Sequence, residues 1–161
     1  MREHQLHETT ESTKKYIEVQ YSDVTQGYLR EYCLDNEFDL STRFNGEDQP
    51  VQAFDFHTTV WYTSNSVVMP NYSQDIDIND IEPKGFALFG PDENILVLEI
   101  DSEQIRSIRD NLGDEYGLED EWPDYRAHIT LSYSFSGELP TVDLPDGTIL
   151  AATTLNVKPQ K

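Results

Sequence analysis

Two stretches of this chain repeat one pattern. Residues 57–63 read H-T-T-V-W-Y-T and residues 128–134 read H-I-T-L-S-Y-S, so both fit H-x-T-[VL]-x-Y-[ST]. Imidazole titrates near pH 6.5, so two histidines can supply one neutral base and one protonated acid in neutral solution. A threonine two residues on adds a hydroxyl able to hydrogen-bond a developing oxyanion. A single histidine on a strand is commonly structural. Two in the same pattern, each followed by threonine at i+2, are hard to attribute to packing. The candidate catalytic residues are therefore His57, Thr59, His128 and Thr130.

Such side chains need strands to hold them. Both stretches are rich in β-branched and aromatic residues, the composition of strands. Simple alternation places His57, Thr59 and Trp61 on one face, and Thr58, Val60 and Tyr62 on the other. It likewise separates His128 and Thr130 from Ile129, Leu131 and Tyr133. Upstream, alternation of Ile17, Val19 and Tyr21 with Tyr16, Glu18 and Gln20 predicts a strand over 15–21. Ser22-Asp23 caps a helix over 24–35. Residues 38–53 read as a loop with one tight turn at Asn45-Gly46. The first motif strand follows over 54–63, and then a solvated acidic loop over 64–83. The Asp75, Asp77 and Asp80 spacing there lacks the glycine and glutamate of a calcium loop. Strands over 85–89 and 95–100 form a hairpin. Asp101-Ser102 caps a second helix over 103–112, with Gly113 as its C-cap. An acidic loop, 114–124, leads to the second motif strand over 125–134, and the last strand spans 148–157.

The chain has 161 residues and a net charge of -20, with 31 acidic and 11 basic side chains. That length suffices for one domain burying about 70% of its unfolded surface. We expect residues 1–13 to be a flexible N-terminal tail and residues 14–161 to form the single domain. The tail's His4 and His7 lack the further ligands of a metal site. It has no apolar core of a secretory signal, and no run is long enough for a membrane span. The lone Cys33 excludes an internal disulfide and fits a reducing cytoplasm. The acidic field repels long nucleic acid and membrane phosphates, while a small ligand with one or two phosphates meets much less of that penalty. Solubility explains the charge most simply; mimicry of nucleic acid is a sharper alternative.

A strand, a Ser-Asp or Asp-Ser cap, a helix and an HxT strand occur in that order twice, an internal repeat of β-α-β units. With the two HxT motifs and the 86–90/96–100 strand pair between them, this organisation resembles the 2H phosphoesterase superfamily over residues 16–157. In size, motif spacing and short C-terminal extension the chain is most similar to the phage anti-CBASS phosphodiesterases. The resemblance implies an α+β fold of duplicated β-α-β lobes, with antiparallel sheets around a central groove. It implies metal-independent cleavage of the 3′-5′ linkages of cyclic di- or trinucleotide second messengers, with no cofactor. The partner is then a small cyclic oligonucleotide, and the protein a monomer in the host cytoplasm if phage-encoded.

The nucleophile is either the ribose 2′-OH or water, and the sequence does not assign which histidine is the base. Tyr16, on the non-core face of the first strand, Phe86, where the resemblance implies a stacking aromatic, and Trp122, as a lid, are the candidate substrate-binding residues. Trp61 is expected at the groove's end. Lys84 offers a cation to a second phosphate, though a solvated lysine is the plainer reading. The alternatives are a 2′,3′-cyclic phosphodiesterase acting on RNA ends or nucleosides, and a sponge that binds cyclic nucleotides without cutting them.

Overall fold

The structure is a computed structural model describing residues 12–122 and 124–160. The elements run β1 (Ser12–Thr13), β2 (Lys15–Tyr21), α1 (Asp23–Asp35), β3 (His57–Tyr62), β4 (Val67–Val68), β5 (Tyr72–Ile78), β6 (Glu82–Phe89), β7 (Ile95–Asp101), α2 (Glu103–Tyr116), β8 (His128–Ser132) and β9 (Ala152–Pro159). The fold is α+β and every strand pairing is antiparallel. One sheet has the order β3-β2-β9-β5, a second β6-β7-β8, and β1 pairs with β4.

Apolar residues on one face of each sheet make a shared core. Ile17, Val19 and Leu155 come from the first sheet, and Leu96, Leu98, Ile129 and Leu131 from the second. Each fully buried aliphatic side chain contributes about 1.5–3 kcal/mol. The helices close this core with Leu29, Tyr32 and Cys33 of α1 and Ile105 and Leu112 of α2. Both begin at serine caps: Ser22 Oγ accepts from Thr25 N–H and Ser102 Oγ from Ile105 N–H, the bonds that satisfy otherwise orphaned first-turn donors.

Two expectations need correction. Residues 64–83 are not all loop, because β4 and β5 lie there and β5 pairs with β9 at the sheet edge. The aspartates that disguise β5 are tolerated because an edge strand keeps one side in solvent, where charge also discourages pairing with another chain. Helix α2 does not stop at Gly113 but at Gly117, which takes the left-handed cap conformation with φ 64°. Gly113 serves packing instead: an added Cβ would lie 2.8 Å from Trp61 Cζ2. The expected tail, with His4 and His7, lies outside the described residues up to Glu11, while Ser12 and Thr13 pair with Val68 and Val67. Among the described residues no helix is long and apolar enough to cross a membrane.

Candidate active site

The two motif strands carry the same irregularity. In the β2–β3 ladder Ile17 pairs with Trp61 and Glu18 with Thr59, which leaves Val60 bulged out. In the β7–β8 ladder Leu96 pairs with Ser132 and Val97 with Thr130, which leaves Leu131 bulged out. A bulge adds one residue and reverses the facing of the residues beyond it. Tyr62 therefore joins His57 and Thr59 on the polar face, while Trp61 turns into the core and is 9% exposed. This corrects the expectation that Trp61 ends the groove; strict alternation misplaced it by one residue. The bulged carbonyls are satisfied from the helices: Arg109 of α2 donates to Val60 O and the Cys33 thiol of α1 to Leu131 O. Arg109 also stacks on the Trp61 and Tyr125 rings at 3.7 and 4.0 Å.

The histidines are held alike. His57 Nδ1–H donates to the carbonyl of Asp55 at 3.1 Å, and His128 Nδ1–H to that of Arg126 at 2.7 Å. A carbonyl only accepts, so each Nδ1 bears the proton and each Nε2 is left to exchange one. The strands are joined directly, Thr58 Oγ1 donating to His128 O at 2.9 Å. Each motif threonine has a phenol neighbour: Thr59 Oγ1 shares a 2.9 Å hydrogen bond with Tyr16 Oη, and the Thr130 hydroxyl lies near the Tyr133 phenol. Burial pushes both phenols above the ordinary tyrosine value, so they stay neutral. Tyr125 Oη fixes the backbone by donating to Thr59 O at 2.7 Å.

The electrostatic surroundings of the histidines differ. Burial pushes His128 below the usual imidazole value, opposed by the Arg126 carbonyl and helped by positive charge at His57. His57 faces two carboxylates, Glu18 Oε1 at 4.0 Å from Nε2 and Asp55 Oδ2 at 4.0 Å from Nδ1. Glu18 is 3% exposed and is held by Gln20 at 3.0 Å, Asn156 at 3.2 Å and Lys158 at 3.4 Å. A buried carboxylate needs such partners.

All four candidate catalytic residues thus line one polar surface, with Tyr16 beside Thr59. Trp122 is 63% exposed and extends an aromatic series: its ring lies 5.2 Å from Tyr62, which lies 6.0 Å from Tyr16. Phe86 is half-buried: it pairs with Leu98, its ring lies parallel to Tyr32 at 6.1 Å, and it lines a cavity beside Lys84 and Arg126 rather than standing next to the histidines. Phe89, three residues on and so on the opposite face of the strand, is the ring on the histidine side, 4.7 Å from that of His128. Sequence reasoning also passed over Glu18 and Asp55. The signal for Glu18 was available, as it alternates with Ile17 and Val19 on the Tyr16 face. Asp55 had the same signal, since alternation over 54–63 sets it on the His57 and Thr59 face.

A small cavity of about 200 Å³ adjoins His57 and Tyr133 under the 43–49 turn, with Arg43 and Phe44 on its wall. Among the described residues no group of three or more His, Cys, Asp or Glu side chains is placed to hold a metal ion. Residues 13–152 match the family model described as anti-CBASS protein Acb1, a span that contains both histidine motifs and both helices. The chain therefore belongs to the Acb1 family of anti-CBASS proteins, which counter the CBASS antiphage defence.

Proposed function

We propose that the protein is a 2H-type phosphodiesterase, built of two like β-α-β lobes, that opens the 3′-5′ linkages of cyclic di- or trinucleotide signals. One observation carries this reading: two histidines with matching Nδ1–H···O=C anchors, on bonded strands, each with a threonine hydroxyl beside it. His128, kept neutral by burial, is the base that takes the proton of the ribose 2′-OH or of water as that oxygen attacks phosphorus. His57 is the acid that returns a proton to the departing 5′ oxygen. An imidazolium at His57 meets the Glu18 and Asp55 carboxylates on two sides. Each proton transfer is worth about 10²–10⁴ in rate. Thr59 and Thr130 bind the non-bridging oxygens, where charge builds in the transition state. Tyr16 orients Thr59, and Trp122 offers a ring to a base. The two proton transfers need no metal or cofactor.

The test is digestion of 3′3′-cyclic GMP–AMP in EDTA, read by mass spectrometry, with wild type beside His57→Ala and His128→Ala. Linear product from wild type alone is expected, and its terminal group names the nucleophile. An intact ring in every sample sinks the reading. In that event, turnover of a nucleoside 2′,3′-cyclic phosphate identifies the RNA-end activity, and a complex from which the ring is recovered whole identifies a sponge.

A further inference from the structure

A cavity of about 600 Å³ does not lie over the histidines. It lies where β6 and β7 meet the start of α2, and its volume suits a nucleotide-sized ligand, about 300–1,000 Å³. Its wall carries Lys84, Arg106 and Arg126 against Glu99 and Asp101. Three of the chain's 11 basic residues thus converge on one cavity in a protein of charge -20.

The cations are not equivalent. Arg126 is engaged by Glu99 through Nε at 2.9 Å and Nη2 at 2.7 Å, and its guanidinium lies over the Phe89 ring at 4.7 Å. Arg106 is engaged by Asp101 and Glu103. Lys84 has no ion pair or side-chain hydrogen bond among the described residues, so its charge is uncompensated. The backbone sets its position. Pro83 pairs with Ile100 and Gly85 with Glu99, so Lys84 is the bulged residue of β6. Gly85 has φ 154°, yet a Cβ there would meet nothing within 4 Å. The conformation, not lack of space, demands glycine. Bulges of this kind re-aim side chains next to functional sites.

The cavity borders the candidate catalytic surface. Arg126 supplies the carbonyl that anchors His128, and Glu99 stands opposite His128 in the ladder. A phosphodiester held at the histidines leaves the rest of a cyclic oligonucleotide, with at least one more phosphate, to be placed nearby. We propose that this cavity takes the second, non-scissile phosphate of the ring, with Lys84 as its anchoring cation. This rests on the phosphodiesterase reading above.

The experiment is calorimetry in a His57→Ala background, so that the ring stays whole, with a cyclic dinucleotide and adenosine 2′,3′-cyclic phosphate as probes. Lys84→Ala is expected to weaken the dinucleotide about tenfold, the size of one charge-assisted hydrogen bond. Lys84→Arg should restore it, and the one-phosphate probe should shift by less than about twofold on the same scale. Lys84 is exposed, and an unchanged melting midpoint shows that the fold is kept. Equal loss on both probes, or no loss on the dinucleotide, overturns the proposal. Digestion by wild type decides the phosphodiesterase reading separately: a ring left intact there, with Lys84 sensitivity retained in binding, removes the catalysis and keeps the pocket.

Discussion

Thr58 Oγ1 donates to the backbone carbonyl of His128 at 2.9 Å, so a residue of one motif holds the main chain of the other. Its single proton goes there, and Tyr21 Oη therefore donates to Thr58 at 2.6 Å. Thr58 and Tyr21 are both buried. The chain of bonds ties β2, β3 and β8 together at the point where the two sheets adjoin, and it acts on the distance between the histidines without touching the polar face.

Thr58→Val keeps the shape and removes the donor. Leaving the His128 carbonyl and the Tyr21 hydroxyl without this partner should cost about 1–3 kcal/mol, read as a lower urea midpoint at constant slope. Activity on a cyclic dinucleotide should drop well beyond the fraction unfolded, because reacting groups held apart by about 1 Å lose on the order of 10²-fold. Full activity in a destabilised variant would show that the bond serves stability alone.

The pH profile depends on His128. Its folded value is pushed down by burial, so it remains a neutral base to lower pH than free histidine. The acid limb of kcat/KM should therefore fall below about pH 6.5. An NMR titration of the His128 ring should show the same midpoint, and a value at or above that of free histidine would reverse the acid and base assignment. Stability carries the matching sign. The unfolded chain binds this proton near pH 6.5 and the folded chain only below it, so the group's contribution to stability falls as pH drops through that window.

Trp122 is exposed beside Tyr62, a position suited to stacking rather than to core support. Trp122→Ala should weaken cyclic dinucleotide binding by about 1–3 kcal/mol, the worth of one stacked base. Its effect on stability should stay within about 0.5 kcal/mol. A large stability loss with unchanged affinity would assign the ring to packing.

Two helix glycines should respond in opposite directions. Gly27 in α1 has nothing within 4 Å of an added Cβ, so Gly27→Ala should stabilise by about 0.5–1 kcal/mol. Gly113 in α2 faces Trp61 Cζ2 at 2.8 Å, so Gly113→Ala should destabilise by about 1–3 kcal/mol through overpacking, despite alanine's higher helix propensity. Thermal melts of the two variants check both signs, and a stabilised Gly113→Ala would show that the Trp61 ring can yield.

Features that depend on near neighbours are readable in the chain. Serine caps at Ser22 and Ser102, the hairpin of β6 and β7, and the paired HxT strands all come from local propensity and period. β5 is hidden because an edge strand rich in aspartate reads locally like a loop, and only pairing with β9 makes it a strand. The length of α2 is hidden for a related reason. A glycine at 113 and one at 117 look equally like stops, and the approach of Trp61 decides between them.

The sequence by itself determined the chemistry on offer: two imidazoles, each with a hydroxyl two residues on, in strands whose period puts them on one face. Tertiary structure decided which other groups surround them. The bulges at Val60 and Leu131 persist because Arg109 and Cys33, distant in sequence, donate to the carbonyls left over from the ladders. Those bulges bring Tyr62 and Tyr133 to the polar face and send Trp61 inward. Alternation along one strand carries no information about such an insertion, because its cause lies on another element. The same holds for charge: burial of His128 and the approach of Glu18 to His57 belong to the packed sheets, and neither is written in the spacing of the motifs.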